Sequence, residues 1–90
     1  MYYTTNYKEL HMLNIKILGS GCANCKRLEQ VTRQVVDTLA IEAEIEKVTE
    51  HLEIMKYPIL STPGLVINEK VVSSGRIPTQ TEITDWLVRA

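Results

Sequence analysis

Cys22 and Cys25 are the only two cysteines of the chain, and only Ala23 and Asn24 lie between them. Thiols at that spacing can close a small disulfide ring and open it again, which is two-electron chemistry. The attacking species in disulfide exchange is a thiolate. The pair follows an apolar, strand-like run and precedes a helix-like one. That puts Cys22 at a helix start, where unpaired backbone N–H groups and the helix dipole favour negative charge. Thiols in such pairs commonly have pKa values lowered from about 8.5 to roughly 3.5–7.5. Lys26 and Arg27 add positive charge one turn on. Cys22 is therefore assigned as the nucleophile, Cys25 as the resolving thiol a turn deeper, and Lys26 as a tuner of the thiol.

The elements that must hold these sulfurs can be read from periodicity. Leu13-Asn14-Ile15-Lys16-Ile17-Leu18 alternates apolar and polar residues, the pattern of a strand. Gly19, Ser20 and Gly21 end it. From Cys22 to about Leu39 the period becomes helical: Leu28, Val31, Val35 and Leu39, with Thr32 and Val36, make the buried face. Ala43–Val48 is a second strand. A short helix through His51, Leu52, Ile54 and Met55 stops before Tyr57-Pro58. Leu65–Ile67 and Val71–Ser74 are strands separated only by Asn68-Glu69-Lys70, hence a hairpin. Its turn lacks the favoured Asn-Gly pair, so a positive φ at Glu69 would be strained. Thr79 and Glu82 have the spacing of a capping box, followed by the stripe Ile83, Trp86 and Leu87.

The order is thus β-α-β-α-β-β-α. Strands one and two flank a helix and should be parallel; the hairpin adds an antiparallel pair. The fold class is α/β, a four-stranded mixed sheet covered by helices. With that order, Cys22, the run Thr49-Glu50-His51, the turn Ser61-Thr62-Pro63-Gly64 and the corner Gly75-Arg76 all meet at one edge of the sheet. His51 is a second candidate for tuning the thiol. The remaining histidine, His11, precedes strand one and falls at the opposite edge. Tetrahedral zinc takes about four ligands, so a site within one chain built on both histidines fails, while a metal shared between two chains stays open.

Composition sets the outer limits. Ninety residues suit one domain. A formal net charge of −1 without a basic block argues against a nucleic-acid binder. No apolar run approaches the roughly 18–20 residues of a membrane span. Met1–His11 has neither the basic nor the apolar region of a signal peptide. It reads as a frayed or loosely packed extension, with the domain at residues 12–90. The expected compartment is the cytoplasm, where a vicinal cysteine pair is more often reactive or metal-bound than a structural staple. No cofactor beyond the Cys22–Cys25 disulfide and no resident metal are expected.

Several ordered motifs carry a family resemblance. The run Ile17-Leu18-Gly19-Ser20-Gly21-Cys22-Ala23-Asn24-Cys25-Lys26-Arg27-Leu28-Glu29, then Ser61-Thr62-Pro63-Gly64-Leu65-Val66-Ile67-Asn68, then Val71-Val72-Ser73-Ser74-Gly75-Arg76-Ile77-Pro78, resembles the thioredoxin-like family over Met12 to Leu87. The closest likeness is to its small, glutaredoxin-sized redox-active disulfide proteins. The resemblance implies a thiol–disulfide oxidoreductase acting on protein or small-molecule disulfides and recharged by an upstream reductase. It also implies a cis Thr62-Pro63 bond whose backbone pairs with an extended substrate, with Gly75 and Arg76 beside it. The chain departs from the family at three points. Ser20-Gly21 and Ala23-Asn24 replace the Trp and Gly-Pro of thioredoxins. Strand one carries no acid near Cys25. The corner Ser73-Ser74-Gly75-Arg76-Ile77 has an arginine where glutaredoxins place an acid for glutathione. The readings from another class are a metal- or metalloid-binding module and a redox-inactive docking module of the same fold.

Overall fold

The computed structural model describes residues 12–90; the extension expected at residues 1–11, with His11, lies outside the described residues. The strands are β1 (Leu13–Leu18), β2 (Ala43–Val48), β3 (Gly64–Ile67) and β4 (Lys70–Ser74), and the helices α1 (Ala23–Leu39), α2 (His51–Ile54) and α3 (Gln80–Arg89). They form one sheet in the order β2-β1-β3-β4. β1 pairs in parallel with β2, Leu18 opposite Val48, and antiparallel with β3, Leu18 opposite Gly64. The mixed four-stranded α/β architecture is the one expected from the order of elements.

The alternation of β1 divides the core. Ile15 and Ile17 point to one face, where Leu28, Val35 and Val36 of α1 and Ile83 and Leu87 of α3 cover them. Leu18 points to the other, against Val48, Val66 and Ile54 of α2. Leu28 and Ile15 are fully buried, and removing a side chain of that kind typically costs about 2–5 kcal/mol. The packed face of α1 therefore fixes where its first turn, carrying the cysteines, meets the end of β1. Among the described residues no helix is long and apolar enough to cross a membrane.

Two turns depend on residues whose type does not announce them. α1 ends on Ala40 in the left-handed conformation (φ 54°), its N–H donating to the carbonyls of Asp37 and Val36. Glycine is the usual residue there, and alanine accepts a cost of order 1–2 kcal/mol. In the β3–β4 turn both Asn68 (φ 50°) and Glu69 (φ 66°) are left-handed. Both are tied to β1. The Asn14 N–H donates to Asn68 Oδ1 at 3.0 Å, and Lys16 Nζ and Tyr57 Oη both donate to the Glu69 carboxylate, at 2.6 and 2.9 Å. The strain foreseen at Glu69 is thus held by an ion pair and a phenol.

The start of α3 is the capping box expected from spacing. Thr79 Oγ1 accepts from the Glu82 N–H, and Glu82 accepts from the Thr79 N–H. The same carboxylate also receives both terminal nitrogens of Arg76, at 3.0 and 2.9 Å. Arg76 first, then the Thr79 amide, hold the Glu82 carboxyl down to about 2. A depressed acid contributes stability that is full above its unfolded pKa near 4.5 and lost as pH falls through 2. Glu82→Gln should therefore be less stable than wild type at neutral pH, and the two should converge near pH 2. Denaturant melts across that range would show it; a gap between the two that stays constant down to pH 2 would contradict the assignment.

Candidate active site

The site begins with where the chain leaves β1. The buried Gly19 continues the strand by one residue, its N–H donating to the Val48 carbonyl at 3.0 Å. Gly21 takes φ 83°, a conformation open to glycine, and turns the chain into α1. Cys22 is the residue before the first helical turn, in extended backbone geometry (φ −70°, ψ 165°). Its Sγ accepts a hydrogen bond from the Cys25 N–H at 3.1 Å, and its carbonyl accepts from the Lys26 N–H at 3.0 Å. The sulfur itself therefore caps the helix, the part usually taken by Ser or Asp.

Cys22 and Cys25 are joined in a disulfide. The two ends differ in exposure: Cys22 faces solvent, whereas Cys25 is only 5% exposed. That asymmetry follows from the helix. Cys25 lies one turn in from Cys22 and one turn before Leu28, on the face that α1 packs against the sheet. Gly19 is the floor beneath Cys25. A Cβ built on Gly19 would overlap Cys25 Sγ and lie 3.8 Å from Thr62 Cβ, so the end of β1 sits against the Cys25 sulfur on one side and near the Thr-Pro loop on the other.

The Thr62–Pro63 bond is cis. Thr62 is exposed and Pro63 buried. The Pro63 carbonyl accepts from the Gly75 N–H at 2.8 Å, which ties the Gly75-Arg76 corner to the proline loop. Gly75 has φ 77°, and a Cβ there would come within 2.5 Å of Ser61 Oγ. Beside the disulfide, a cavity of about 410 Å³ lies between the two loops and α2, lined by Ser20, Thr49, His51, Met55, Leu60 and Thr62 among others. Leu60 and Met55 present exposed apolar surface on its rim.

The topology thus brings Cys22, Cys25, Thr62, Pro63, Gly75 and His51 to one edge. Lys26 and His51 are exposed and make no side-chain hydrogen bond or ion pair with another described residue. Arg76 stands at the corner with its guanidinium engaged by Glu82. Among the described residues no three of His, Cys, Asp and Glu gather as a metal-holding group, and the two sulfurs are bonded to each other.

Sequence reasoning missed two features. Gly19 reads as a strand end, but its missing side chain is what leaves room for Cys25. Glu29 reads as surface, yet its side chain is only 18% exposed and meets Lys47 of β2 at 3.6 Å. The signals were faint: Glu29 lies four residues after Cys25, and Lys47 has the parity of Ala43 and Ile45, which face α1.

Comparison with known proteins is consistent with this geometry. The family model described as the thioredoxin domain matches residues 13–88. A protein named thioredoxin from Methanothermobacter thermautotrophicus is 39% identical over 72 residues, 80% of this chain and 94% of its own length. Another from Methanocaldococcus jannaschii is 37% identical over 76 residues, 84% of this chain and 87% of its own. Among solved structures, the germline-specific thioredoxin Deadhead from Drosophila melanogaster superposes with a TM-score of 0.65 at 15% identity, covering 98% of this chain and 90% of that one. The oxidised thioredoxin of Plasmodium falciparum gives 0.58 at 18%, covering 94% and 89%; at these identities the likeness is one of fold.

Proposed function

Because the chain belongs to the thioredoxin family and is a thiol–disulfide oxidoreductase of that family, we propose that Cys22 is its attacking sulfur and Cys25 its resolving one, reducing disulfides of proteins or small molecules. The observation that carries this division of roles is the exposed Cys22 Sγ, which caps α1 and accepts the Cys25 N–H while bonded to a buried partner. An N–H aimed at a sulfur favours its anionic form, and only the exposed sulfur is open to a second molecule.

In the cycle, the Cys22 thiolate attacks one sulfur of the substrate disulfide. A Cys22–substrate bond forms and the other substrate sulfur leaves as a thiolate. Cys25 then loses its proton and attacks Cys22 Sγ. The Cys22–Cys25 bond forms, the mixed disulfide breaks, and the second substrate thiolate departs. Two electrons have passed to the substrate, and a dithiol reductase upstream returns them.

An extended substrate segment would lie along the exposed Thr62, next to the cis Pro63 that the Gly75 N–H holds in place. Lys26 and His51 act on Cys22 through charge at a distance. An anionic substrate group at Arg76 would have to compete with Glu82. The reading takes the cytoplasm as the compartment, since a pair that cycles needs surroundings that keep thiols reduced.

The test is a single turnover. The pre-reduced chain, freed of reductant and mixed with a disulfide-bonded protein, should release two substrate thiols per chain and end with none of its own. A chain that keeps both thiols while the substrate stays oxidised would refute the reading.

A further inference from the structure

Beside Cys25, between the start of α1 and the ends of β1 and β2, lies a second, partly open cavity of about 80 Å³. It has room for two or three waters at about 30 Å³ each. Cys25, Lys26, Glu29 and Lys47 line it together with the uncharged Ile17, Gly19, Gly21 and Thr49. Glu29 is one helical turn from Cys25, a spacing that stacks side chains on one face with Cβ atoms about 5–6 Å apart. Lys47 arrives from β2, which crosses beneath α1, and meets Glu29 Oε1 at 3.6 Å. Arg33 Nε holds the other carboxylate oxygen at 3.0 Å. The scarcely exposed Cys25 thus shares the lining of this pocket with a carboxylate that is 18% exposed and an ammonium that is 60% exposed, 3.6 Å apart.

This arrangement bears on the second half of the cycle. There the Cys25 S–H bond breaks, the proton departs, and the sulfur's electron pair forms the bond to Cys22. The Arg33 hydrogen bond, with Lys47 adding to it, holds the Glu29 carboxyl below the ordinary carboxylate range. Glu29 is therefore a standing anion at working pH and stores no proton; its influence is electrostatic. We propose that the Glu29–Lys47 ion pair sets the proton affinity of the Cys25 sulfur, Lys47 favouring the thiolate and Glu29 opposing it. Both are positioning residues. The other charge lining the pocket is the exposed Lys26; the end of β1 brings only the uncharged Ile17 and Gly19 to it. The inference rests on Cys25 being the resolving thiol.

The experiment is a pH titration of the reduced protein carrying 13C-labelled cysteine, with the Cys25 signal assigned through Cys22→Ser. Glu29→Gln leaves the ammonium unopposed and should lower the Cys25 pKa by about one unit; Lys47→Met leaves the carboxylate unopposed and should raise it by about one unit. The double variant should return close to wild type, and Lys47→Arg should leave the value where it was. Shifts of opposite sign are not expected from a pair that merely props up the fold. If either single variant leaves Cys25 unmoved, or both move it the same way, the inference is overturned. Should Glu29→Gln fail to fold, Glu29→Asp, which withdraws the carboxylate, must shift Cys25 downward by a smaller amount. Failure here with single-turnover reduction intact removes only this inference; absence of any reduction removes the assignment of Cys25 beneath it.

Discussion

Replacing Cys22 by serine should abolish disulfide reduction, while replacing Cys25 should stop the same reaction halfway. A hydroxyl cannot form the sulfur–sulfur bond of the mixed disulfide, so Cys22→Ser is expected to fall by on the order of 10³-fold or more, to the background rate. Cys25→Ser retains the exposed sulfur at the head of α1 and the backbone N–H that it accepts at 3.1 Å. It should still attack, and then hold its substrate, because no second sulfur is present to displace it. The asymmetry derives from burial. At 5% exposure Cys25 is shielded from an incoming disulfide, with the end of β1 packed against its sulfur at Gly19. Comparison of turnover in the two variants, with the chain's own thiols counted before and after, checks both halves. Equal behaviour of the two would mean that the helix does not distinguish its cysteines.

The second large effect is expected at Gly19. A methyl group there would overlap Cys25 Sγ and sit 3.3 Å from Cys25 Cβ. Neither side can retreat easily. Gly19 is pinned by its N–H to Val48, just past a residue paired on both sides, and Cys25 belongs to a 17-residue helix packed on the sheet. Overpacking of this kind costs about 1–3 kcal/mol. In the dithiol the Cys25 sulfur is free to turn about its side-chain bond and relieve the overlap; in the disulfide it is tethered to Cys22. Gly19→Ala should therefore destabilise the oxidised form more than the reduced one and make the pair more oxidising. At about 30 mV per 1.4 kcal/mol for two electrons, the shift is about 20–60 mV. Equilibration of the variant and the wild type against a dithiol buffer measures it. An unchanged potential together with unchanged thermal stability would show that Gly19 does not abut the sulfur.

Much of this was legible in the chain itself, and the reasons are specific. The two-residue alternation of β1 and the three-and-four spacing of α1 repeat over enough residues to define element and facing together. Once β1 and β2 are parallel and β3–β4 is a hairpin, chain direction alone brings Cys22, Thr62, Pro63, Gly75 and His51 to one edge. The cis Thr62-Pro63 bond was expected only from the resemblance, since spacing says nothing about it. The left-handed Ala40 was not legible: nothing in alanine's chemistry marks that conformation, and it is imposed by the carbonyls at the end of α1. Arg76 was legible as a corner residue but not as a partner of Glu82. The capping box sets where that carboxylate points, and only the folded corner brings the guanidinium within 3 Å of it. Glu29 and Lys47 were hidden for a related reason. Each looks like an ordinary surface charge, and their meeting at the pocket that Cys25 also lines depends on how β2 lies relative to the helix.

The central claim is that the exposed sulfur at the head of α1 is the one that takes the substrate. Its most direct test is the intact mass of Cys25→Ser after mixing with an excess of disulfide substrate, followed by mapping of the adduct. The account predicts one substrate half per chain, attached at Cys22 and released by a dithiol. A chain that stays unmodified under those conditions would contradict it.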